Sequence, residues 1–160
     1  MTILKELIMY QSLFTQQEQA IIAQSAAIIK SKIKTENMFN SPQMVADFCQ
    51  HSLVTSEREV FAVLLLDSQN RLIECVELFY GTINAASVYP REVVKLVLNH
   101  NAASVIFTHN HPSGIAEPSQ ADKLITTKLS NALNLIDVTV LDHLVVGTDS
   151  TVSFAERGLI

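Results

Sequence analysis

Val105-Ile106-Phe107-Thr108-His109-Asn110-His111-Pro112-Ser113-Gly114-Ile115-Ala116-Glu117-Pro118-Ser119-Gln120-Ala121-Asp122 is the stretch on which the reading of this chain turns. It opens with the apolar run Val105 to Phe107, which together with Ser104 reads as a short buried strand, and passes directly into polar residues. Pro112, Gly114 and Pro118 then punctuate a turn, and Pro118-Ser119 starts a helix predicted over Ser119 to Leu135. Polar groups therefore emerge at the C-terminal end of a strand, where open α/β sheets place their ligands. In extended backbone, residues two apart point to one side, so His109 and His111 aim both imidazoles at one region while Asn110 faces away.

Outward from this stretch, strands and helices alternate. Val138 to Val146 reads as the next strand, and Pro90 opens a helix through Val93, Val94, Val97 and Leu98. Val60 to Leu66 and Arg71 to Tyr80 flank the turn-forming cluster Asp67-Ser68-Gln69-Asn70 and predict a β-hairpin. Ser41-Pro42, a cap followed by proline, predicts a short helix over 42 to 51. This pattern argues for an α/β fold, a single domain whose sheet is flanked by helices. Residues 16 to 34, with Ile21, Ile22, Ala26, Ile28, Ile29 and Ile33 among polar residues, match an amphipathic helix. Its apolar stripe either packs on the domain, the commoner outcome, or forms a homodimer or partner surface.

With 160 residues the chain is long enough to bury a core without crosslinks. Two cysteines, Cys49 and Cys75, are too few for a disulfide framework or a four-thiolate metal site. Both are expected to act as small buried hydrophobes. No segment has the pattern of a membrane helix or of a secretory signal, so a cytoplasmic protein with no membrane association is expected. Charge is distributed unevenly: residues 1 to 56 hold four basic and four acidic groups, and the net −5 comes wholly from the remainder. A surface that neutralises phosphates needs the opposite balance, so DNA association is disfavoured.

Two neutral imidazoles at one strand end begin a zinc site, and the shortage of cysteine leaves His and carboxylate as its ligands. Asp122 is the best third ligand, since Ser119 and Asp122 lie three apart on the first turn of the predicted helix, facing back to the strand end. His109, His111, Asp122 and one open position would form a catalytic rather than a structural site. The same Ser-x-x-Asp also reads as an ordinary capping box. His143, between Asp142 and Leu144, reads as a core histidine or one behind the metal site rather than a ligand. His51 and His100 lie at predicted helix ends, where the backbone dipole favours a cation.

His-x-His-Pro, six residues, Ser, two residues, Asp is similar to the signature of the JAMM (MPN+) metalloproteases, and the surrounding text resembles their bacterial RadC-like branch. The segments that carry the resemblance are 67 to 73, 81 to 84, 88 to 93, His109 to Gly114 and Leu141-Asp142-His143. It covers roughly residues 40 to 160 and implies a cytidine-deaminase-like mixed sheet flanked by helices. The implied organisation is an N-terminal helical extension over 1–38 and a RadC-like JAMM/MPN domain over 39–160. The implied function is a zinc-dependent metallopeptidase or isopeptidase that hydrolyses an amide bond in a peptide or protein substrate.

Carried over to this chain, the resemblance assigns one Zn2+ to His109, His111 and Asp122. It assigns Ser119 to the attacking water or the developing oxyanion. A glutamate just before the first core strand is the family's general base, and Glu59 occupies that place, with Glu57 a near neighbour. Longer RadC-like proteins carry a helix-hairpin-helix region that depends on glycine. No glycine precedes Gly81 here, so a short form without that module is expected. The alternatives are a DNA-repair-associated nucleic-acid enzyme or binder and a non-catalytic MPN-type interaction module. A zinc nucleobase deaminase needs His-x-Glu followed by Pro-Cys-x-x-Cys, and the chain has neither.

Overall fold

The computed structural model describes residues 14–36, 41–81 and 88–160. Its elements are α1 (Gln16–Glu36), α2 (Pro42–Leu53), β1 (Val60–Leu66), β2 (Leu72–Tyr80), α3 (Pro90–Asn99), β3 (Ser104–Asn110), α4 (Gln120–Asn134), β4 (Thr139–Val146) and β5 (Thr151–Ser153). The strands form one mixed sheet in the order β2-β1-β3-β4-β5, in which only the β3–β4 pair is parallel. The α/β class and the mixed sheet flanked by helices thus follow the expectation.

β1 is apolar and buried at every position because it lies inside the sheet and is covered on both faces. Phe61, Val63 and Leu65 join Val105 and Phe107 of β3 under α3 and α4. Val60, Leu64 and Leu66 join Ile106 under α2 on the opposite face. Burying each such side chain contributes about 1.5–3 kcal/mol, so the two clusters fix which face each strand residue takes.

A bulge in β4 then matters for the site. The β3–β4 register moves from Val105↔Val140 to Ile106↔Asp142, so Leu141 is an extra residue. Before it Val140 faces α4; after it Leu144 and Val146 face α2. The slip brings His143 opposite Phe107, on the face shared with α4.

β3 runs three residues further than the apolar pattern suggested. Thr108, His109 and Asn110 remain paired to both β1 and β4 or to β4 alone, and all three are buried. The apolar run ends at Phe107 but the hydrogen-bond ladder does not, because both neighbouring strands continue past that point. β5 has three residues, too few for a periodic signal.

Helix α1 packs against α2 and β2. Ile29 joins the α2-side core and Lys30 pairs with Glu74 at 3.0 Å, while Ile21 and Ile28 stay exposed. Among the described residues, no helix is long and apolar enough to cross a membrane. The thiols of Cys49 and Cys75 are raised by burial, the second to about 11, which leaves both protonated at neutral pH.

Candidate metal centre

The antiparallel β1–β3 register pairs Phe61 with His109. Continued past the strand end, it sets Glu59 opposite His111. Helix α4 then delivers Asp122 from its first turn. One potential ligand atom from each of Glu59, His109, His111 and Asp122 lies within 4.8 Å of every other. The structure therefore brings together the three groups read as ligands and the glutamate read as base. Glu57 is exposed and outside the cluster, which separates the two neighbouring acids.

The Nε2 atoms of His109 and His111 are 3.0 Å apart, and each lies 3.3 Å from an oxygen of Asp122. Their other ring nitrogens decide what those Nε2 atoms carry. His111 Nδ1 lies 2.8 Å from the carbonyl oxygen of Ile115, which can only accept, so Nδ1 bears the proton. His109 Nδ1 lies 2.8 Å from His143 Nε2, and His143 Nδ1 lies 2.6 Å from Thr126 Oγ1. Thr126 donates its hydroxyl proton to the carbonyl of Asp122 at 2.6 Å. It must then accept from His143, which in turn accepts from His109. This assignment runs in one direction from His109 to the backbone of Asp122. His143 is fully buried, and burial holds its pKa well below the ordinary histidine value, in keeping with the neutral ring that this chain needs.

In its neutral form each of the two rings would therefore turn an Nε2 lone pair toward the other ring and toward a carboxylate. Three electron-pair donors converging without a proton among them suit a cation, and two imidazoles with a carboxylate suit zinc. Without a metal, a proton serves instead. The hydrogen bond to Asp122 raises the His111 pKa above its ordinary value, against the opposing effect of burial. Burial works against the charge on Asp122, but hydrogen bonds from His109, His111 and Ser119 outweigh it and hold the carboxyl far below the usual range.

Ser119 and Asp122 form a complete capping box: Asp122 N donates to Ser119 Oγ at 3.1 Å, and Ser119 N donates to Asp122 Oδ2 at 2.7 Å. The capping and the ligand readings are thus not rivals, since one carboxylate caps the helix and faces both histidines. Ser119 itself is exposed at the rim. The 111–119 loop is seated on the β4–β5 turn, with Thr148 N donating to Gly114 O at 2.9 Å. A Cβ on Gly147 would collide with that same carbonyl oxygen, so only glycine permits the approach.

Thr126 escaped the sequence reading. Its signal was spacing: four residues beyond Asp122, it stands one helical turn along the same face of α4. His143 lies behind the cluster, against His109 and Thr126. His51 and His100 cap helix ends through Nδ1, at 2.7 Å from Asp47 O and 2.8 Å from Leu96 O, and take no part.

The chain is similar to known proteins over most of its length. The RadC-like JAB domain matches residues 39–159. A UPF0758 protein of Pseudoalteromonas translucida is 60% identical over 144 residues, which cover 90% of this chain and 64% of that protein. UPF0758 proteins of Idiomarina loihiensis and Cellvibrio japonicus are 54% and 57% identical, over 90% and 89% of this chain and 64% and 63% of theirs. The chain thus spans a little under two thirds of the length of these relatives. A match over three quarters of the chain, with a His-His-Asp-Glu cluster that could hold a metal ion, leaves one conclusion: the chain belongs to the RadC-like JAB domain family.

Proposed function

We propose that this domain is a zinc-dependent metallopeptidase or isopeptidase, acting on an amide bond of a peptide or protein substrate. The observation that carries the reading is the convergence of His109, His111, Asp122 and Glu59 within 4.8 Å. His109, His111 and Asp122 would hold one zinc ion. When bound there, zinc supplies Lewis acidity, polarising a scissile carbonyl and making water a nucleophile near neutral pH.

The chain's own groups supply the rest. Glu59 accepts the proton of the attacking water and returns it to the leaving amine, a transfer that needs a carboxylate close to the histidine pair. Ser119 Oγ already accepts from Asp122 N, which leaves its hydroxyl proton to be donated to the developing oxyanion. Buried His143 and Thr126 keep His109 in the tautomer that presents Nε2. The acidic balance of residues 57 to 160 favours a protein substrate over DNA. A cytoplasmic setting and a domain boundary near residue 39 belong to the same proposal.

The test is hydrolysis of a peptide and isopeptide library by the zinc-reconstituted protein, alongside Glu59→Gln. Cleavage by the parent chain and its loss in the variant, with zinc retained, supports the reading. Zinc-loaded protein that cleaves no amide bond, or DNA cleavage abolished by Glu59→Gln, overturns it.

A further inference from the structure

We propose that Asn110, the residue between the two histidines, is the positioning residue for Glu59. The inference rests on the reading of Glu59 as general base and adds how that base is held. Asn110 is fully buried and, as the strand alternation requires, its side chain is turned away from the imidazoles. Its Oδ1 accepts from Val60 N at 2.8 Å, while Nδ2 donates to Arg58 O at 3.1 Å and to Ser56 O at 3.3 Å.

Arg58 O belongs to the peptide unit before Glu59, and Val60 N to the peptide unit after it. One side chain therefore grips both peptides that flank the Glu59 Cα and so restrains its two backbone torsions. Glu59 lies one residue outside β1, where the strand ladder no longer fixes the backbone. Gly81 N, donating to Glu59 O at 2.8 Å, adds a bond from the β2 side. A primary amide is the group that offers one acceptor and two donors in this space. Aspartate lacks the donors, and leucine, close in shape, lacks all three bonds. The strand that carries His109 and His111 thus also sets the position of the carboxylate that works with them. The spacing between base and metal ligands depends on one rigid element rather than on a loop.

The experiment compares the parent chain, Asn110→Ala, Glu59→Gln and the double variant, each loaded with cobalt(II), whose visible spectrum is followed as a function of pH. A carboxylate beside the ion alters the midpoint of that pH profile. The expected result is one metal per chain in all four proteins and a shifted midpoint in Glu59→Gln. Asn110→Ala is expected to show the greater part of that shift, and the double variant no more than Glu59→Gln alone. Faster amide hydrogen exchange confined to residues 55–60 should accompany Asn110→Ala. If Asn110→Ala keeps the parent profile while Glu59→Gln shifts it, the positioning role is overturned and the base stands. If Glu59→Gln itself leaves the profile unchanged, the base reading fails and takes the inference with it. Asn110→Leu fills the same space and replaces Asn110→Ala if the latter does not fold. Loss of metal stoichiometry in both overturns the proposal, because Asn110 would then support the whole site rather than Glu59.

Discussion

His109 and Glu59 reach the same point from neighbouring parts of the sheet, but they are held by different means. His109 lies inside β3, has no exposed surface and heads a hydrogen-bond chain through His143 and Thr126 to the backbone of Asp122. Glu59 is half-buried, lies outside β1, and has its backbone held by Asn110 and Gly81. The contrast matches the two tasks proposed for them. Metal ligands must present lone pairs at fixed positions, and a buried network orients them. A general base must exchange protons with water and substrate, which asks for some access.

Substitutions that separate these tasks give the sharpest tests. His109→Ala removes a proposed ligand and is expected to abolish stoichiometric zinc binding, as read by metal analysis after reconstitution and dialysis. Glu59→Gln is expected to keep the zinc and lower amide hydrolysis by about 10²–10⁴-fold, the usual worth of a positioned acid–base group. If the two variants lost metal equally, the division between ligands and base would collapse. His143→Ala leaves every proposed ligand in place, yet it is expected to weaken zinc affinity by about 10–100-fold in a chelator competition.

The pH dependence of zinc affinity extends the comparison to His111. Zinc needs its Nε2 unprotonated, and the hydrogen bond it donates to Asp122 raises its pKa, so protons compete from above the ordinary histidine value downward. Affinity is expected to rise with pH, by about tenfold per unit while this single proton is displaced, and to level off above the raised pKa. The smallest effect is expected from Thr126→Val. It leaves the buried His143 Nδ1–H without its acceptor and should cost about 1–3 kcal/mol in a denaturant melt.

Much of this arrangement was legible in the residues. Alternation of apolar runs and proline-started helices indicated the sheet and its flanking helices, because burial on both faces makes Val60–Leu66 and Val105–Phe107 continuous apolar runs. His-x-His and Ser-x-x-Asp could be read together because strand and helix periodicities fix where those side chains go. Glu59 came from the resemblance, since a carboxylate at a strand end carries no pattern of its own. The place of His143 behind the site was legible, but its link to Thr126 was not, because it depends on the bulge at Leu141 that turns His143 toward α4. Three-residue β5 lay below any periodic signal, and the grip of Asn110 is a contact between residues 50 and 54 positions apart.

Diffraction from a crystal of the zinc-loaded chain, recorded on both sides of the zinc absorption edge, would decide whether His109, His111 and Asp122 hold the ion. One anomalous peak per chain is expected, within about 2 Å of His109 Nε2, His111 Nε2 and an Asp122 carboxylate oxygen. The Glu59 carboxylate should lie close by, and His143 should lie behind His109 without touching the metal. No peak at this position, or a peak ligated by His143 in place of Asp122, would contradict it.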